Sequence, residues 1–119
     1  MQTRHFEFRV WDCKEKVLHY SGVMANFATY ALLMDISNPH KIEIFTGFKD
    51  KNNKKIFEGD IIRINNAPRN LWQVQFSNEL AAFVLDKLGF KKPMHEFLKH
   101  PFCSFQVVGN IHKNAHLLK

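Results

Sequence analysis

Residues Phe45-Thr46-Gly47-Phe48-Lys49-Asp50-Lys51-Asn52-Asn53-Lys54-Lys55-Ile56-Phe57-Glu58-Gly59-Asp60-Ile61-Ile62 contain an apolar run, a charged turn, and a second turn that feeds another apolar run. Asp50-Lys51-Asn52-Asn53-Lys54 has no apolar residue, and its two Asn tolerate positive φ and bond their own backbone, so the segment predicts an exposed hairpin tip. Glu58-Gly59-Asp60 supplies a Gly for a backbone position other residues avoid, followed by an Asp whose short carboxylate can accept amide protons inside the turn. This stretch decides a fold fragment and names no reaction.

On its N-terminal side, Phe6, Phe8 and Val10 alternate with Glu7, Arg9 and Trp11, the period of a strand over residues 4–11 with one buried face. A polar turn and Val17-Leu18-His19-Tyr20 complete a first hairpin. Met24, Phe27, Ala28, Ala31 and Met34 carry helical spacing across residues 23–36, although Tyr30 to Met34 also fits a buried strand; a stripe of this kind is more often core or subunit contact than a cofactor site. Pro39 ends it, and a strand over residues 41–46 enters the opening stretch.

On the C-terminal side, Lys55-Ile56-Phe57 returns from the hairpin tip. Residues 60–64 and 72–76 form a further hairpin around the Asn65 to Asn70 loop. A short strand at residues 82–85 is followed by a basic connection at 87–92 containing Gly89, and a turn or two of helix begins at Pro93 and is halted by His100-Pro101. A last strand occupies residues 102–108, and Gly109-Asn110 turns the chain into its tail. The predicted class is mainly β (α+β): a small antiparallel curled sheet or SH3-like half-open barrel with one or two short helices, in a single domain over residues 1–119.

At 119 residues, 45% hydrophobic with twelve Phe, the chain suits a core that needs no covalent staple. Cys13 and Cys103 lie far apart and form no C-x-x-C pair, which reads as two free thiols in a reducing compartment. No apolar run approaches the roughly 18 residues needed to span a bilayer, and the reading is a cytoplasmic protein without a membrane partner. Net charge is +6. Residues 1–40 balance, four Lys and Arg against four Asp and Glu, whereas 41–70 carry seven against four and 71–119 six against three. The excess therefore gathers around the hairpin tip and the basic connection, where it can attract phosphate or acidic partners.

The chemistry-bearing candidates are few. Lys49, Lys51, Lys54, Lys55, Lys91 and Lys92, with Trp72 or Phe90 as a stacking aromatic, are the residues a nucleic-acid interface would use. Glu58 and Asp60 share a face if the backbone there is extended, as an acid–base pair requires, but Asp60 is more simply a turn acceptor. His112 and His116 have the spacing that sets two imidazoles on one helix face, without an H-E-x-x-H motif to accompany them. No G-x-S-x-G elbow, phosphate-cradling loop or activated thiolate stands out. The expectation is no enzyme, no cofactor and no metal.

Three blocks together resemble the YopX family of small phage and prophage proteins: Phe8-Arg9-Val10-Trp11-Asp12; Thr46-Gly47-Phe48-Lys49-Asp50-Lys51 through Ile56-Phe57-Glu58-Gly59-Asp60-Ile61-Ile62; and Val108-Gly109-Asn110-Ile111 with Asn114 and Leu117-Leu118. Trp11, Asp12, Gly47, Asp50, Glu58, Gly59, Asp60, Gly109 and Asn110 are the structural motif residues this likeness marks. Phe45 and Phe57 stand where the family usually has Tyr, which removes two hydroxyls. The resemblance implies a β-rich, self-associating phage-encoded protein in the host cytoplasm, of no established activity. The leading functional expectation is a non-enzymatic accessory protein that forms a homo-oligomer through residues 23–36. The alternative is a small basic barrel that binds nucleic acid, and an acidic host protein is a further possible partner.

Overall fold

The computed structural model describes residues 7–20 and 40–118. The helical reading of 23–36 and the first residues of the opening strand lie outside them. The chain divides into two compact units, residues 1–45 and 46–119.

In the first unit, β1 (Phe8–Asp12) pairs antiparallel with β2 (Val17–Tyr20) on one side and with the opening part of β3 (His40–Lys49) on the other. The β1–β2 turn closes on Asp12, whose carboxylate accepts the Lys14 and Glu15 amides at 2.9 and 3.1 Å. One buried face was expected for β1, yet Arg9 and Trp11 are as buried as Val10. Arg9 tolerates this because Glu43, its directly opposite neighbour on β3, accepts from its Nε at 2.8 Å.

The second unit begins with the end of β3, which β4 (Lys55–Phe57) joins across the charged tip. The Thr46 hydroxyl donates to the Ile56 carbonyl at 2.7 Å and accepts from the Phe48 amide. A five-stranded antiparallel sheet follows, in the order β8-β7-β6-β5-β9, from β5 (Asp60–Ile64), β6 (Leu71–Ser77), β7 (Ala82–Lys87), β8 (Phe90–Pro93) and β9 (Phe105–Asn110). It curls into a half-barrel, in line with the expected class. Ile56, Ile62, Ile64, Trp72, Val74, Leu85, Met94 and Phe105 form its core. Period-two alternation in β6 turns Trp72 and Val74 inward.

The Asp50 carboxylate holds two parts of this unit together. One oxygen accepts the Asn52 and Lys54 amides of its own turn, both at 2.9 Å, and the other accepts the Val107 amide of β9, also at 2.9 Å. Beside it, the Lys51 amide donates to the Phe105 carbonyl. The hairpin tip is thereby clasped to the side of β9 that faces away from β5. On the β5 side the ladder slips by one residue between Ile61, opposite Gly109, and Ile62, opposite Val107, so Val108 is the bulged residue.

Two sequence readings change here. The basic connection at 87–92 is a hairpin: Lys87 pairs with Phe90 around a Leu88-Gly89 turn with φ of +52° and +92°, and β8 is an edge strand on which lysines suit the open side. The last strand begins at Phe105, and Gly109 and Asn110 belong to it. The Asn110 side chain then caps α2 (Ile111–Asn114), which packs on β5 and β9 and continues into a 3-10 turn, Ala115–Leu118. The helix expected from Pro93 is a single turn, α1 (Met94–Phe97), anchored by the fully buried Met94. No helix among the described residues is long and apolar enough to cross a membrane.

Gly109 is required by close approach. A Cβ there would lie 2.5 to 2.8 Å from the Asn114 side chain, including its own Cβ, while Asn114 Oδ1 accepts the Asn110 amide. Gly109→Ala is expected to cost about 1–3 kcal/mol and to lower the urea midpoint with an unchanged slope, since α2 must shift to make room.

Candidate functional site

The second unit carries two adjoining clefts with Cys103 in the wall of both. The larger, about 500 Å³, opens between the loop after β5 and residues 97–103, with Asn65, Asn70, Lys92, His100 and Phe102 among its lining. The smaller, about 190 Å³, is bordered by Lys49, Asp50, Lys51 and Ser104. The loop is fixed from within. Asn65 and Asn66 adopt left-handed φ of +56° and +59°, the Asn65 amide donates to the Ser104 carbonyl, and Asn65 Oδ1 accepts the Ser104 amide at 2.8 Å. Lys51 Nζ reaches Asn66 Oδ1, so the hairpin tip and this loop meet along the pair of clefts.

Three of the candidate lysines thus border these two neighbouring clefts, Lys92 the larger and Lys49 and Lys51 the smaller. Lys92 lies opposite Leu85 on the core-facing side of β8, with Nζ 5.0 Å from the Phe97 ring centre. Lys91, its neighbour, faces the other way beside Asp86. Lys54 is exposed at the hairpin tip and Lys55 is half-buried in β4. Asp50 is the acidic side chain in these walls, and its carboxylate is turned into the backbone. Burial raises its pKa, but the amides of Val107, Lys54 and Asn52, with the Lys54 charge, outweigh that and hold it below the ordinary value.

Trp72 is a correction. It is 8% exposed, its Nε1 donates to Asn70 Oδ1 at 2.8 Å, and its ring meets Phe97 and Phe90 edge-on at 5.3 and 6.1 Å. Lys87 Nζ sits 5.7 Å from the same ring. It is a core residue and offers no face to a base. The exposed aromatic at the larger cleft is Phe102, 92% accessible, which sequence reading placed inside a strand. No local signal separates the two; their difference comes from what Phe97 and Phe90 cover.

The remaining candidates resolve into supports. Asp60 is buried and its Oδ2 accepts the Phe57 amide at 2.8 Å, closing the Glu58-Gly59 turn, while the Gly59 carbonyl accepts the Ile111 amide. Among the described residues no three His, Cys, Asp or Glu side chains come close enough to share a metal ion, and His116 lies on the exposed 3-10 turn. Burial pushes the Cys103 thiol above its ordinary pKa, the Lys92 charge opposing, so it stays protonated at neutral pH and does not act as a thiolate. A third cleft, about 420 Å³, opens beside Arg69, Lys87 and Leu118.

Known proteins extend this picture. A family model described as YopX protein matches residues 25–119. The crystal structure of protein EF1440 from Enterococcus faecalis is similar in fold, with a TM-score of 0.62 and 22% sequence identity over 98% of this chain and 100% of that one. No curated protein matches. The hairpin with its clasp, the Glu58-Gly59-Asp60 turn and the Gly109-Asn110 cap all fall inside the matched region, and the chain belongs to the YopX family.

Proposed function

We propose that this protein is a non-enzymatic binding protein that holds single-stranded nucleic acid along the two clefts, phosphates against Lys49, Lys51 and Lys92 and a base against Phe102. The observation that supports this reading is that the cleft lined by Lys92 and the exposed Phe102 and the cleft bordered by Lys49 and Lys51 share Cys103 in their walls. Cations along a groove neutralise a backbone, and an exposed ring supplies the sequence-tolerant contact that single strands favour. Self-association through residues 23–36, the leading expectation from sequence, concerns residues outside those described.

The test is fluorescence anisotropy with labelled single strands at several salt concentrations, using nuclease-treated protein. The Lys49→Ala, Lys51→Ala, Lys92→Ala triple variant is expected to bind at least tenfold more weakly, with a salt slope reduced by about 2, since each phosphate contact on a single strand contributes roughly 0.7. Phe102→Ala is expected to weaken binding about tenfold without altering that slope. Lys91→Ala, on the opposite face of β8, serves as the control. A triple variant with the parent's affinity and slope would reject the groove.

A further inference from the structure

The turn between β7 and β8 places a leucine where the backbone disfavours one. Lys87 pairs with Phe90, which leaves Leu88 and Gly89 as the two central residues, with φ of +52° and +92°. A two-residue hairpin of this kind requires positive φ at both places, and Asn-Gly meets that requirement where a leucine is strained. Burial does not offset the strain, since Leu88 is 86% exposed. Asp86 Oδ1 accepts the Gly89 amide at 2.9 Å and holds the turn in this shape. A residue that is strained, apolar and in water has no folding role to explain it, and such positions cluster where function keeps them.

Phe90, two residues on, is 64% exposed, so the turn presents two large apolar side chains to solvent. A Cβ added at Gly89 between them would meet nothing within 4 Å, and the turn therefore projects into open space. Cations surround it. Lys87, Lys91 and Lys92 all lie within four residues of Leu88, and the nearest carboxylate in sequence, Asp86, is engaged by the Gly89 amide. Arg69 and Leu88 both line the third cleft, whose walls among the described residues include no carboxylate.

We propose that this turn is a membrane-surface contact, in which Leu88 and Phe90 enter the boundary between headgroups and acyl chains of an anionic bilayer while Lys91 and Arg69 meet its headgroups. A protein partner fits less well, because a stable protein interface needs on the order of 1,000 Å² of complementary surface and two side chains on a projecting turn supply little of it. A bilayer demands no matching shape, and a net charge of +6 draws the protein to an anionic one. The expectation of no membrane partner rested on the length of the apolar runs, which governs spanning a bilayer and not touching its surface. This contact is independent of the nucleic-acid reading, which uses neither Leu88 nor Arg69.

The decisive variant is Leu88→Asn. It gives the turn its favoured Asn-Gly pair, so the urea midpoint is expected to hold or rise, while affinity for anionic vesicles falls about tenfold with the loss of the inserted side chain. Nuclease-treated protein would be floated with vesicles of phosphatidylcholine alone and of phosphatidylcholine with about 30% phosphatidylserine, at low and at physiological salt. The parent is expected to bind the anionic vesicles at least tenfold more tightly than the neutral ones, and less tightly as salt rises. Lys91→Glu is expected to weaken binding to the anionic vesicles about tenfold and to leave the neutral ones unchanged. Anionic binding that Leu88→Asn leaves at the parent's level overturns the proposal, because charge alone then accounts for it. A urea midpoint lowered by Leu88→Asn overturns it as well, since the leucine would then serve the fold. Failure to bind either vesicle at low salt also overturns it, and leaves the turn to an acidic protein pocket.

Discussion

Asp50→Ala is expected to remove about 4 kcal/mol of stability, a large share of the roughly 5–15 kcal/mol that holds a domain of this kind together. The residue is 7% exposed and its carboxylate accepts three backbone amides, all of which lose a charged acceptor in the alanine variant. Asp50→Asn is a finer probe. Its oxygen can still serve Asn52 and Lys54, but its NH₂ group would meet the Val107 N–H, so a loss of about half that size is expected. Urea denaturation followed by the fluorescence of the buried Trp72 measures both; a midpoint unchanged by either variant would show that the clasp is dispensable. The same carboxylate makes stability pH-dependent. Its folded-state pKa lies below the ordinary 3.8, so its contribution is complete above that value and is lost as pH falls through the lower, folded value. Asp50→Asn should flatten that acid limb.

The second large effect is expected in the first unit. Glu43→Ala removes a carboxylate 2.8 Å from Arg9 Nε, where the side chains are 0% and 3% exposed, and a loss of about 3 kcal/mol follows because solvent cannot replace that bond, whatever else Arg9 touches. The pair also predicts its own remedy. Arg9→Met with Glu43→Leu gives back apolar volume and removes both buried charges, so the double variant should be more stable than Glu43→Ala and close to the parent. Guanidinium denaturation of the single and double variants gives the coupling directly. A double variant no better than Glu43→Ala would mean the site depends on polarity rather than on pairing.

Most of the hairpin architecture was legible because its signals are local. The charged tip with Asn52 and Asn53, the Glu58-Gly59-Asp60 turn and the alternation of Trp72, Val74 and Phe76 each need only neighbouring residues to be understood. Strand β8 was missed for the opposite reason. Phe90-Lys91-Lys92-Pro93 reads as a basic loop, and only its pairing with β7 makes it an edge strand, where lysines and proline guard against further pairing. The buried Arg9 was hidden as well, since Glu43 lies 34 residues away. In the candidate site, charge predicted lysines without saying which share a face. Lys91 and Lys92 are adjacent in sequence and opposite in direction, and Trp72 and Phe102 exchange the roles their residue type suggests. The side-chain oxygens of Asn65 and Asn70 are fixed by bonds from Ser104, Trp72 and Lys87, and no sequence pattern encodes an amide's orientation.

The clasp from Asp50 to Val107 spans 57 residues of chain. Closing a loop of that length costs entropy before the bond returns anything, so this contact is expected to form late, after the intervening hairpins have drawn its two ends together. A contact that forms after the barrier strengthens the native state without speeding its formation, so Asp50→Ala is expected to raise the unfolding rate more than it lowers the folding rate in stopped-flow urea jumps. On that expectation Asp50 bears on how long the unit stays closed more than on how quickly it forms.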